Sequence, residues 1–254
     1  MRAWSDLSVE AIYEWDAWLR NLKNVNAKQT DGEAPVTIGE FAVYNYHKYL
    51  KFMLNRAVDF GIIGLSPYSR LKDRFTKPSY DNIEYMTEEE MQAILNLHPL
   101  PGTNVAAARD LFVFQMFTGL SYSDTQAFDI SQYKNVEGQW VHTGQRIKTG
   151  VPYVSDLLPP VIDVLERNGW KAPQISNQTY NYSLKTIGNV IGMEGLHSHL
   201  ARHTFATYML SNDVKIQNVM RMLGHKNIRQ TMKYAKVLAK DVHADFNMIA
   251  EKLK

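Results

Sequence analysis

Between residues 71 and 86 the sequence LKDRFTKPSYDNIEYM loses its hydrophobic periodicity, and this interruption limits what the chain can build. Pro78 cannot continue a helix, and Asp81-Asn82 is a turn signal. Directly afterwards Thr87 and Glu90 have the spacing of a capping box, in which a hydroxyl and a carboxylate satisfy backbone N–H groups at a helix start. The break predicts a helical domain over 1–78, a linker over 79–86 and a second domain over 87–254. With 254 residues, 45% of them apolar, the chain has material for two cores.

Before the break, residues 8–22 place Val9, Ile12, Trp15, Trp18, Leu19 and Leu22 at helical spacing behind Ser8, a good N-cap. Residues 24–39 are polar and read as loop. A second helix spans 38–60 and ends at Gly61; its aromatic stripe reads as core packing, with His47, Lys48, Lys51 and Arg56 at exposed positions. After the break, helices are expected at 88–97 and 104–117, the latter apolar enough to be central. Short β-like segments follow at 139–142 and 151–154, with turn signals at Glu137-Gly138 and Thr149-Gly150. They predict a small antiparallel three-stranded sheet or a ragged hairpin. Helical patterns return at 157–167, 179–191, 198–210, 215–223 and 237–254. The last carries Val242, Phe246, Ile249, Ala250 and Leu253 on one side, a face to be buried in its own domain or on a neighbouring protomer. The fold class is mainly α.

Composition narrows the function by exclusion. Net charge is only +2, with 11 basic and 9 acidic residues in 1–80 and 17 of each in 81–254, so bulk charge does not point to a polyanion. One local strip does: residues 215–240 hold seven Lys or Arg and no Asp or Glu. The absence of cysteine rules out disulfides, thiolate chemistry and a Cys-based zinc site. No apolar run approaches the roughly 18 residues of a membrane span, and no signal-peptide pattern opens the chain. A cytoplasmic protein without membrane contact is expected.

The chemistry concentrates in SHLARHTFATYMLSNDVKIQNVMRMLGHKNIRQTMKYAKV, which begins at Ser198. His199 and Arg202 stand three apart and share a helix face. Gly224 ends a short amphipathic helix, His225 follows, and Tyr234 comes nine residues later between Lys233 and Lys236. A tyrosine hydroxyl, with a pKa of about 10, is a nucleophile only where cations stabilise its phenolate and the charge on its target. A phosphodiester is such a target, and the planar fork of Arg202 can hold two phosphate oxygens. His199 and His203, four apart, have zinc-ligand spacing, but Leu200 replaces the glutamate of a metalloprotease motif and the strip has no carboxylate. No metal and no cofactor are expected, and His203 is assigned to packing or hydrogen bonding inside the domain.

The series H-x-x-R-H-T-F-A-T, then L-G-H, then Tyr-Ala resembles the tyrosine recombinase (phage integrase) family, over nearly the whole chain from about Leu7. The resemblance implies a small helical core-binding domain followed by a helical catalytic domain with a small antiparallel sheet. It makes Tyr234 the nucleophile that forms a 3′-phosphotyrosyl bond and Arg202 the stabiliser of transition-state charge, and it puts His199 and His225 on opposite sides of the phosphate, donating hydrogen bonds or shuttling protons to and from the tyrosine. By the same resemblance Lys148, in the RIKTG turn, would protonate the leaving 5′ oxygen, and Lys48, Lys51, Arg56 and Arg229 would contact DNA phosphates. The implied activity is integration or excision of a mobile element; the alternatives are a non-catalytic DNA-binding relative and a DNA-relaxing topoisomerase with the same chemistry. Duplex DNA, self-association into a tetrameric synapse and accessory DNA-bending proteins are the implied partners. By the same resemblance a short form, or a truncated chain, without the extra N-terminal arm-binding domain of many integrases is expected.

One position departs from the family. Its arginine after Thr-Gly-Leu is replaced here by Ser121, following Thr118-Gly119-Leu120. Two substitutes are in range: Arg146, which on a strand shares a face with Lys148, and Arg109, at the start of the apolar helix. Arg146 is preferred. Asp124 occupies an acidic position expected to orient its neighbours.

Overall fold

The Ser8 hydroxyl accepts the Ala11 N–H and starts α1, Val9–Arg20, in the computed structural model, which describes residues 7–24, 36–71, 74–78 and 83–237. Contacts divide the chain into two compact units, 1–80 and 81–254. In the first, α1 packs on α2, Glu40–Asp59, and on a 3₁₀ turn, Pro67–Arg70, around Ile12, Leu54, Tyr68 and Leu71.

Two expectations for α2 are overturned. His47 is buried rather than exposed, and most of the aromatic stripe faces solvent: Tyr46, Tyr49, Phe52 and Phe60 are 47–69% exposed. The reason is rotational. Val43, His47, Leu54 and Ala57 recur at intervals of three, four and seven and form the inward stripe. Phe52 lies opposite that stripe, and Tyr46, Tyr49 and Phe60 lie along one flank of it. Both nitrogens of His47 are satisfied, Nδ1 by the Tyr68 hydroxyl at 2.8 Å and Nε2 by the Asp16 carboxylate at 3.0 Å, and its ring stacks on Phe75. A buried polar group so partnered costs little.

The second unit opens with α3, Glu88–Leu95, started by the Thr87–Glu90 capping box in both its hydrogen bonds. Its centre is α4, Asn104–Thr118, buried on every side from Ala108 onward. Around α4 pack α6 (Pro159–Arg167), α7 (Asn177–Ile191) and α8 (Ser198–Ser211). α4 is therefore apolar all round rather than amphipathic. An antiparallel sheet, β1 (Lys134–Val136), β2 (Gln139–Gln145) and β3 (Pro152–Asp156), runs in sequence order, with Val136 opposite Gln139 and Gln145 opposite Pro152. β3 lies against α9, Ile216–Leu223.

Two helices were not foreseen. α5, Tyr122–Gln126, is capped by Ser121, and α10, Arg229–Val237, packs on α8 and α9 and carries Tyr234. The helix expected over 237–254 falls, beyond Val237, outside the described residues. Among the described residues no helix is long and apolar enough to cross a membrane.

Candidate active site

Two helix C-termini meet at the centre of the second unit, and two arginines lie between them. α4 ends at Gly119 (φ 66°) and α9 at Gly224 (φ 59°), both in the left-handed conformation that glycine adopts freely. A Cβ on Gly119 would lie 2.4 Å from the Phe205 ring, and one on Gly224 would lie 2.7 Å from the Arg146 side chain. Neither position accepts a larger residue. The last carbonyls of a helix lack intrahelical partners and carry about half a negative charge. Arg202, on α8, donates to the Gly119 carbonyl (2.5 Å) and to the Leu223 carbonyl (2.6 Å). Arg146, just past β2, donates to the same two oxygens, through Nε and Nη2 to Leu223 (2.9 and 2.7 Å) and through Nη2 to Gly119 (3.3 Å).

Adjacent guanidinium groups repel, so the pair needs compensating negative charge. Asp124 supplies it. Its carboxylate accepts Arg146 Nη1 at 2.8 Å, the Ser121 hydroxyl at 2.5 Å and the Ile147 N–H at 2.9 Å. Burial alone raises its pKa, but these hydrogen bonds and the arginine charge outweigh burial and hold it below the ordinary carboxylate range. Ser121 thus serves Asp124, and Asp124 holds Arg146. Burial, followed by the repulsion of Arg146, brings Arg202 down to about 10, which leaves it charged at neutral pH.

Tyr234 is 1% exposed. Its hydroxyl lies 2.8 Å from Nδ1 of His203, and the Lys233 ammonium sits 4.8 Å from its ring centroid. Burial pushes its pKa up to about 12 although Arg202 pulls it down. His199 packs edge-on against His203, with ring centroids 4.4 Å apart. His225 stacks parallel to the Tyr234 ring at 6.5 Å and shares a 2.8 Å hydrogen bond with the Thr231 hydroxyl. All three imidazoles are held neutral. Burial dominates, and Arg202 and Lys233 add to it; His203 and His225 fall to about 3, and His199 below its ordinary value. Lys148 stands exposed in the turn between β2 and β3, and its charge also depresses His199.

The structure thus brings Arg202, Arg146, His199, His225 and Tyr234 into one cluster, with Lys148 at its edge. Arg146 arrives there by a different route from the one expected. β2 ends at Gln145, so Arg146 turns inward while Lys148 remains outside, and the two do not share a strand face. Arg109 does not belong to the cluster: its guanidinium pairs with Asp110 at 3.1 Å, and Asp110 is bound by Arg167 and Asn168 at the end of α6. Lys48, Lys51 and Arg56 are exposed on α2, and Arg229 is exposed at the start of α10. His203, expected to pack or hydrogen-bond inside the domain, does hydrogen-bond there, and what the sequence did not foresee is its partner, the Tyr234 hydroxyl. The signal for His203 was present in the four-residue spacing from His199, which placed it on the same helix face.

Residues 84–241 match the profile of the phage integrase family, well over half of the chain. The chain belongs to the phage integrase family. Among curated relatives it is 36% identical over 74 residues to tyrosine recombinase XerA of Thermococcus onnurineus, covering 29% of this chain and 26% of that one. It is 24% identical over 171 residues to XerC of Staphylococcus carnosus (60% and 57%), and 26% over 151 residues to the integrase of Escherichia phage P2 (59% and 42%). The chain spans at most a little over half the length of these relatives. Its fold is similar to that of the Tn1549 transposon integrase, solved with circular intermediate DNA (TM-score 0.64, 14% identity, 98% of this chain and 86% of that one). A second structure of that integrase, with transposon right end DNA, superposes at TM-score 0.61, with 14% identity over 97% and 85%. The clustered arginines, histidines and Tyr234 of this phage integrase family member all lie within the matched segment, and Ser121 lies within it too.

Proposed function

We propose that the chain is a DNA strand transferase of site-specific recombination, acting in the integration or excision of a mobile element through a 3′-phosphotyrosyl intermediate on Tyr234. The observation that carries this reading is the pair of guanidiniums, Arg146 buried and Arg202 partly buried, on shared helix-end carbonyls, in the same cluster as a buried tyrosine. Arg202 spends two donors on those carbonyls and keeps Nε and one hydrogen on each terminal nitrogen for two non-bridging phosphate oxygens. Arg146 is largely consumed by Asp124 and the carbonyls, so it contributes fixed positive charge beside the phosphate rather than a second fork. In this way Arg146 replaces the arginine lost at Ser121. His199 and His225 flank the phosphate, and Lys148 delivers a proton to the leaving 5′ oxygen. The phosphotyrosyl bond conserves the energy of the broken one, so rejoining requires neither nucleotide nor metal.

Lys48, Lys51 and Arg56 on α2 and Arg229 on α10 would neutralise phosphates of duplex DNA, which position the protein without reading sequence. Self-association on DNA into a synapse completes the reading. The test is a nicked duplex carrying an attachment site, on which the cleaved 5′-hydroxyl fragment diffuses away and traps the covalent adduct. The expected result is a protein–DNA band on a denaturing gel that disappears with Tyr234→Phe. Salt-dependent duplex binding without any adduct would instead indicate a non-catalytic relative.

A further inference from the structure

Among the described residues, one imidazole is within hydrogen-bond reach of the candidate nucleophile. It is that of His203, whose Nδ1 lies 2.8 Å from the Tyr234 hydroxyl. His225 is engaged through Nδ1 with Thr231, and its ring lies parallel to that of Tyr234 at 6.5 Å. His199 touches His203 rather than the tyrosine hydroxyl. A base must reach the proton it removes before its basicity matters.

We propose that His203 is a catalytic residue, the general base that accepts the Tyr234 proton at Nδ1 as the hydroxyl oxygen attacks phosphorus. The proposal rests on the reading of Tyr234 as nucleophile. In the step, the Tyr234 oxygen–phosphorus bond forms and the bond from phosphorus to the 5′ oxygen breaks. The phenol proton passes to His203, and the departing oxygen receives a proton from Lys148, so charge is conserved. In the resting protein the groups facing His203 are His199, His197 and Arg202 from α8 and its start, and Lys233 and Tyr234 from α10. Among the described residues none of these is a carboxylate, and burial, followed by the repulsion of His199 and Lys233, keeps the ring neutral with a lone pair to accept. A bound phosphate places negative charge among these cations and relieves the repulsion that opposes protonation of His203.

Two measurements test this on the full chain. The first needs no DNA: ¹⁵N resonances of ring-labelled histidine report which nitrogen of His203 carries the proton. The expected state is Nε2–H with an unprotonated Nδ1 whose resonance moves in Tyr234→Phe; a protonated Nδ1, donating to the phenol, overturns the proposal. The second is single-turnover adduct formation on the nicked attachment-site duplex. His203→Asn retains a hydrogen-bonding amide without a basic nitrogen, and is expected to slow cleavage by about 10² to 10⁴ and to make the rate climb about tenfold per pH unit. A sulfur at the bridging 5′ position leaves without a proton. It is expected to rescue Lys148→Ala and not His203→Asn. Near-wild-type cleavage by His203→Asn, or its rescue by sulfur, overturns the role of His203 alone, whereas a wild-type protein that forms no adduct overturns the reading of Tyr234 and this one with it.

Discussion

Each unit of this protein contains a buried tyrosine hydroxyl 2.8 Å from Nδ1 of a buried or partly buried histidine, Tyr68 with His47 in the first and Tyr234 with His203 in the second. What stands behind each pair differs. Asp16 accepts from the far nitrogen of His47 and adds to the burial that raises Tyr68 above its ordinary pKa. Among the described residues no carboxylate stands behind His203; burial raises Tyr234, Arg202 pulls it downward, and Lys233 lies over its ring. The same hydrogen bond is therefore closed by a carboxylate in one place and set among cations in the other, where the proposed reading puts the nucleophile. Local charge, rather than the histidine–tyrosine contact itself, separates the two roles.

The strongest test of that contrast is the pair of phenylalanine substitutions. Tyr234→Phe is expected to abolish covalent adduct formation with little change in thermal stability beyond the lost hydrogen bond. Tyr68→Phe should leave adduct formation intact and lower stability by about 1 kcal/mol, since His47 loses one partner. Equal effects of the two on cleavage would remove the distinction.

Next comes Arg146→Ala. It deletes the fixed charge beside the phosphate, with an expected loss of 10²- to 10³-fold in single-turnover cleavage by analogy with oxyanion-hole donors. It also leaves Asp124 buried without its ion-pair partner, a loss of about 3–5 kcal/mol by denaturant unfolding. Arg109→Ala should cost stability without a comparable loss of cleavage by the fraction that remains folded. Cleavage that depends on Arg109 and not on Arg146 would reverse the assignment.

Acid sharpens the comparison further. His199, His203 and His225 in the second unit, and His47 in the first, have folded pKa values below the unfolded value of about 6.5. Between the two values the unfolded chain binds more protons, so each histidine contributes fully above pH 6.5 and loses its contribution as the pH falls through its folded pKa, which is about 3 for His203 and His225. The limiting slope is about 1.4 kcal/mol per pH unit for each histidine. Hydrogen exchange from pH 7 to 5 should show protection in the second unit falling more steeply than in the first. The smallest effect expected is that of Lys48→Ala or Lys51→Ala: a modest, sequence-independent weakening of duplex binding, with the salt slope reduced by about one.

Legibility from sequence was uneven for physical reasons. Helices with a strong cap or a clean stripe were readable to within a residue or two, as at Ser8, Thr87 and Gly224, because their determinants lie within one turn of each other. α10 was missed because its segment, RQTMKYAKV, lacks an obvious start signal and is mostly polar. The inward face of α2 was misjudged because aromatic residues were given more weight than the phase of the helix, which Val43, Leu54 and Ala57 set. In the candidate site, residue type and spacing singled out Tyr234, Arg202, His199 and His225, whereas for His203 they gave packing or hydrogen bonding inside the domain without naming its partner, the Tyr234 hydroxyl.

By itself the sequence determined that two helical units are separated by a break near residue 80, that a small sheet interrupts the second, and that a basic strip contains a tyrosine. These are matters of local periodicity and composition, which neighbouring residues encode directly. Only the tertiary structure decided which arginine stands beside Arg202 and which histidine holds the Tyr234 hydroxyl. Arg146 meets the Leu223 carbonyl across 77 positions, and His203 meets Tyr234 across 31. Such partners are selected by how helix ends and side chains pack in space, and short-range pattern carries the tendency of a residue to be buried but not the identity of what it is buried against.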